Sequence, residues 1–123
     1  MVGKYRIQMK TIIAGSRNIT DYLILQSFIK EYNIIITEVI SGGARGVDKL
    51  GERWANENNI PIKRFIPDWD KFGKKAGMLR NTDMAIYGEQ LVTLWDGKSN
   101  GTKNMIGTAK NKGLIVHIKR ISL

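Results

Sequence analysis

At 123 residues, with 42% hydrophobic and 25% charged positions, the chain has room for one ordinary globular core and not for two, so residues 1–123 are expected to form a single domain. It has no cysteine and a single histidine, which excludes a disulfide framework, a thiolate nucleophile and a Cys-type zinc site, and leaves little for an imidazole metal cluster. Against 11 acidic residues stand 20 Lys and Arg, a net charge of +9 that favours anionic partners such as nucleotides, nucleic acid or other phosphate compounds.

No stretch approaches the roughly 18 consecutive apolar residues of a membrane span, and the N-terminus runs into a polar-punctuated segment instead of an apolar signal core. No membrane partner and a cytoplasmic location are therefore expected. Short β-branched runs alternate with stretches of helical spacing, the signature of a parallel α/β sheet. The run at 9–14 predicts the first strand, and Leu25, Phe28, Ile29 and Tyr32 repeat on one face of a helix starting near Thr20. Ile34, Ile35, Ile36, Val39 and Ile40 predict the second strand, followed by a helix with Val47, Leu50, Trp54 and Ala55 on one face. Residues 60–66 predict a short third strand, interrupted by Pro61 and closed by Pro67 as suits a sheet edge. The stretch 68–77 has no periodicity and reads as a long functional loop. Met78, Thr82, Ala85 and Ile86 then form a helical stripe opened by Arg80 and Asn81, with Gly88 as its left-handed stop. Residues 91–95 predict the fourth strand, 101–113 a helix ending at Gly113, and 114–118 the fifth strand.

Parallel sheets bind ligands at the carboxyl ends of their strands, where loops meet helix N-termini. Three unusual turns fall there: Gly15, Ser16 and Arg17; Ser41, Gly42, Gly43, Ala44, Arg45 and Gly46; and Asp96, Gly97, Lys98, Ser99, Asn100, Gly101 and Thr102. Glycine lets the backbone approach an anion, and the free amides at a helix start hydrogen-bond phosphate oxygens. Ser16, Ser41, Ser99 and Thr102 offer hydroxyls, while Arg17 and Arg45 offer planar forks. Arg80 suits a phosphate and Asn81 a base edge, although a surface arginine and a helix cap would have the same residue types. Asp48 is within reach of a ribose hydroxyl, or complements the start of its helix. The 42–46 segment does not fit G-x-G-x-x-G, and no Gly-Lys-Ser/Thr follows a glycine loop, which removes classical dinucleotide dehydrogenases and P-loop NTPases. Trp69 and Phe72 either stack a base or pack the loop down. Trp54 and Trp95 read as packing, and His117 as structural.

The segments Ser41-Gly42-Gly43-Ala44-Arg45-Gly46-Val47-Asp48, Gly77-Met78-Leu79-Arg80-Asn81 and Asp96-Gly97-Lys98-Ser99-Asn100-Gly101-Thr102 together resemble the SLOG superfamily. That superfamily joins the DNA-processing protein A (Smf) Rossmann domain to the Lonely Guy enzymes, and the resemblance is greatest to its small single-domain YspA-like members. It implies a Rossmann-like, mainly parallel five-stranded sheet of order 3-2-1-4-5 flanked by helices on both faces. It also implies a pocket for a nucleotide or nucleotide-derived ligand. In that pocket the 42–48 and 97–102 loops hold phosphate, Arg80 adds charge, and the 15–17 turn closes the site. Lonely Guy enzymes carry Pro-Gly-Gly-x-Gly-Thr-x-x-Glu with a catalytic glutamate; here Gly101-Thr102-Lys103-Asn104 leads to Met105, so binding without that glycosidase chemistry is the expectation, with no cofactor required. The alternatives are a phosphoribohydrolase using a displaced carboxylate such as Asp48 or Asp96, and single-stranded DNA binding in the manner of DNA-processing protein A. Related folds pair through helical faces, and a homo-oligomer is expected.

Overall fold

The fold follows from how the apolar runs sort between two faces of one sheet. The computed structural model describes residues 7–123. Its elements in chain order are β1 (Lys10–Gly15), α1 (Tyr22–Glu31), β2 (Glu38–Ser41), α2 (Val47–Glu57), β3 (Ile62–Arg64), α3 (Trp69–Phe72), a 3₁₀ turn (Gly73–Lys75), α4 (Ala76–Tyr87), β4 (Gln90–Trp95), α5 (Asn100–Asn111) and β5 (Ile115–Arg120). All strands are parallel, in the order β3-β2-β1-β4-β5, so the expected topology is the observed one. A side chain alternates faces along a strand, and the β-branched runs therefore feed two cores at once. Ile13, Val39, Val92 and Leu94 pack under Leu25, Phe28 and Ile29 of α1 and Val47 and Ala55 of α2. On the other face, Ile12, Ala14, Ile40 and Leu91 pack under Met84 and Ala85 of α4 and Met105, Ile106 and Ala109 of α5.

This topology puts its switch point between β1 and β4, the central pair, whose successive helices leave toward opposite faces. A crevice at the carboxyl ends of these strands is built in.

Several local expectations need correction. Strand β2 begins only at Glu38; Ile34, Ile35 and Ile36 precede it as irregular chain, with Ile34 and Ile36 buried in the core and Ile35 exposed. Ile34 and Ile36 pack with Leu25, Phe28 and Ile29 of α1 instead of pairing in the sheet. The stretch 68–77 is not a loop: Asp68 caps α3 by accepting from the Lys71 amide, and the chain continues through the 3₁₀ turn into α4. Helix α4 thus starts at Ala76, which puts Arg80 and Asn81 one turn inside it instead of at its opening. Gly88 closes α4 in an extended conformation (φ −84°) and is not left-handed, whereas Gly113 after α5 is (φ +79°). No helix among the described residues is long and apolar enough to cross a membrane.

Candidate functional site

A cleft of about 320 Å³ opens at the carboxyl edge of the sheet between α4 and α5. Its floor is apolar, made by Ala14 at the end of β1, Met84 and Met105. Of the residues singled out above, Gly15, Arg17, Ala44, Asp48, Trp69, Gly77, Met78, Arg80, Asn81, Ser99, Asn100, Gly101 and Thr102 line it. Four separate strand-to-helix junctions contribute to one cavity. Beside it lies a second, shallower hollow of about 520 Å³, lined by Gly42, Gly43 and Arg45 and sharing Arg17, Ala44, Trp69 and Arg80 with the cleft.

The loop after β2 is held from inside. Ser41 Oγ donates to Glu52 Oε2 at 2.7 Å and accepts from the Gly43 amide at 3.1 Å. Asp48, only 4% exposed, accepts from the Ala44 amide at 3.2 Å and also from the Gly15 amide. Burial pushes its carboxyl up to about 6, against the pull of those amides and of the Arg80 charge. Gly46 has φ +78°, and a Cβ there would run into the backbone of Ser16 and Arg17, so the turn needs glycine both for its dihedral and for this approach. The Gly43 and Ala44 amides, which the sequence suggests as phosphate donors, are therefore occupied by the protein's own oxygens.

Arg80 reaches across from α4. Its Nη1 donates to the carbonyl of Gly42 at 2.6 Å and to that of Phe65 at 3.4 Å, while Nε donates to Asn81 Oδ1 at 3.1 Å. Among the described residues, nothing is hydrogen-bonded to Nη2. No carboxylate among them comes within ion-pair distance of Arg17, Arg45 or Arg80. Burial lowers the Arg80 pKa while nearby Asp48 raises it. Asn81 is committed: its Nδ2 donates to Asn104 Oδ1 at 2.9 Å and to the Gly101 carbonyl at 3.4 Å, tying α4 to α5. A free base-reading edge is not what this side chain presents.

The loop after β4 divides in two. Asp96 accepts from the Lys98 and Ser99 amides, each at 2.8 Å, which hold its carboxyl below the usual carboxylate range, and its own amide donates to Ser16 Oγ at 3.0 Å. Gly97 faces the Arg120 guanidinium. Ser99 then caps α5, accepting from the Thr102 amide at 3.3 Å and from the Thr102 hydroxyl at 3.0 Å. What remains open is the helix start itself: a Cβ at Gly101 would meet nothing within 4 Å, and the first amides of a helix have no intrahelical partner.

Ser16, Ser41, Gly46, Asp96 and Gly97 thus line neither cavity and act as scaffold. The sequence reading missed Met84 of the floor, together with Lys74 and Asn104 of the cleft wall and Ile66 and Pro67 of the hollow. Trp69, half exposed at 51%, lines both cavities. Trp54 and Trp95 pack against the two cores, and His117 Nε2 lies 3.0 Å from Gln90 Oε1.

The family model described as "YspA, cpYpsA-related SLOG family" matches residues 9–72, from the start of β1 through α3. The Gene 61 protein of Mycobacterium phage D29 is 31% identical over 119 residues, covering 87% of this chain and 93% of the phage protein. No solved structure matches the chain significantly.

Proposed function

The chain belongs to the YspA, cpYpsA-related SLOG family, and from that premise we propose that its cleft binds a nucleotide or nucleotide-derived phosphate ligand. One observation carries the reading: Gly15 and Arg17, Asp48, Arg80 and the start of α5 come from four parts of the chain and meet around a single cavity at the switch point of the sheet. The volume of about 320 Å³ suits a small molecule, whose pockets start at about 300 Å³. In this reading the α5 amides at Asn100 and Gly101 take phosphate oxygens with the help of the helix dipole, and Arg17 and Arg80 Nη2 supply charge-assisted donors. Met78, Met84 and Trp69 give the ring of a base an apolar surface. Met105 at the floor stands where Lonely Guy enzymes carry their glutamate, which favours binding over that cleavage, since a thioether neither moves a proton nor stabilises a cation. Asp48 is the one carboxylate among the residues lining the cleft, and its oxygens accept the Ala44 and Gly15 amides.

Isothermal titration calorimetry with a panel of nucleoside mono- and diphosphates tests the proposal. A Kd below roughly millimolar, about 4 kcal/mol of affinity, is expected for at least one member, with at least a tenfold loss in Arg80→Ala. Absence of binding across the panel would remove the reading. A single-stranded DNA track is the second reading, favoured by exposed Trp69 and Phe72 beside Lys71, Lys74 and Lys75. Its affinity would fall steeply with salt, whereas that of a small-nucleotide site would fall little.

A further inference from the structure

The second hollow is not used by a mononucleotide seated at α5. Four of its lining residues, Arg17, Ala44, Trp69 and Arg80, also line the cleft, so the two cavities adjoin along these residues. That boundary is cationic. Arg80 spends Nε and Nη1 on Asn81, Gly42 and Phe65, which fixes its plane and leaves Nη2 facing away from those bonds without a partner among the described residues. Arg17 is close enough to act on its charge, Arg45 also lines the hollow, and no described carboxylate is within ion-pair distance of any of the three. The hollow also carries apolar surface: Ile66 at 65% exposed, Pro67 and the half-exposed indole of Trp69. The cleft thus offers an apolar floor, the shared waist two arginines, and the hollow a second apolar surface.

We propose that the site takes a two-unit ligand: a nucleotide in the cleft joined through phosphate to a second nucleoside-sized unit lying in the hollow against Ile66 and Trp69. This rests on the nucleotide reading of the cleft. The linking phosphate falls at the waist, where Arg17 and Arg80 supply donors, and the second ring covers apolar surface that otherwise faces water. The preference for two units comes from one extra anionic contact and one extra stacked ring.

Binding of the four nucleoside 5′-monophosphates, the four nucleoside diphosphates and the 5′-phosphorylated linear dinucleotides pApA, pGpG, pCpC and pUpU to the full chain tests this. So does a decanucleotide of the best base, measured at two salt concentrations. The best dinucleotide is expected to bind at least tenfold tighter than its mononucleotide and its nucleoside diphosphate, and the decanucleotide no tighter than the dinucleotide. Ile66→Glu, at an exposed position lining only the hollow, is expected to abolish that tenfold advantage with an unchanged thermal melt. Equal affinity for mono- and dinucleotide would overturn the second unit and leave the cleft reading standing. A diphosphate matching the dinucleotide would reduce the hollow to a charge site and overturn it too. An advantage that survives Ile66→Glu would overturn the placement, and a decanucleotide far tighter than the dinucleotide, with steep salt dependence, would replace the closed site by a strand track. No binding by any probe would overturn both this inference and the cleft reading.

Discussion

The two glycine-bearing loops that face each other across the carboxyl edge of the sheet look alike as sequence and behave oppositely in the fold. After β2, the Gly43 and Ala44 amides are consumed by Ser41 and Asp48, and Gly42 is pressed between the Arg80 guanidinium and the Asp48 carboxylate. After β4, the Asp96 and Ser99 side chains organise the turn, but the start of α5 at Asn100 and Gly101 is left uncovered. A glycine-rich turn is a close approach of backbone to something; whether that something is a ligand or the protein itself depends on which side chains arrive from elsewhere.

A sizeable effect expected from this contrast is at Gly42. A Cβ there would lie 2.8 Å from Arg80 Cζ and from Asp48 Oδ2, so Gly42→Ala should cost about 1–3 kcal/mol in chemical denaturation, as overpacking does. A wild-type midpoint would refute the picture of a filled loop. Asp48 supplies the next test. Its carboxyl is raised from 3.8 to about 6 in the folded state, so its contribution to stability is fully present below about 3.8 and is lost as pH rises through 6. Relative to Asp48→Asn, the wild type should gain about 1–2 kcal/mol between pH 7.5 and pH 5. The comparison with the variant cancels His117, whose lowered pKa removes stability as pH falls below 6.5, and Glu52 and Asp96, whose lowered pKa values act only at more acidic pH. Parallel curves for the two proteins would mean that Asp48 is not held in a desolvated place.

Smaller effects belong to the other loop. Ser99→Ala removes the cap of α5 and should cost about 1 kcal/mol, read as a shift of the unfolding midpoint. Gly101→Ala, with no atom within 4 Å of the new Cβ, should change stability by less than about 0.5 kcal/mol, in contrast to the same substitution at Gly42. A large loss at Gly101 would show that this end of the cleft is as filled as the other.

The same contrast explains what was legible in the sequence. Runs such as Thr11-Ile12-Ile13 and Leu91-Val92-Thr93-Leu94 are β-branched and apolar on both faces, which announces central parallel strands, and the rim position of the three turns followed. Asp68 was a capping signal hidden in an aperiodic stretch, and a four-residue helix is too short to show a period. The contact of Arg80 with the Gly42 carbonyl spans 38 residues, and the Met84 and Met105 floor joins two helices that meet only once the sheet has formed. Neither leaves a local trace. Single turns carry their glycines in plain view, whereas the groups that fill or spare them arrive through tertiary structure.

The amides free to meet a ligand lie at the start of α5, whereas those of Gly43 and Ala44 after β2 are taken by Ser41 and Asp48. Backbone amide shifts of the ¹⁵N-labelled protein, titrated with the tightest-binding nucleoside monophosphate, test this directly. The largest shifts are expected at Asn100, Gly101 and Arg17, with Gly43 and Ala44 moving little; shifts centred on Gly43 and Ala44, or confined to β5, would contradict this arrangement.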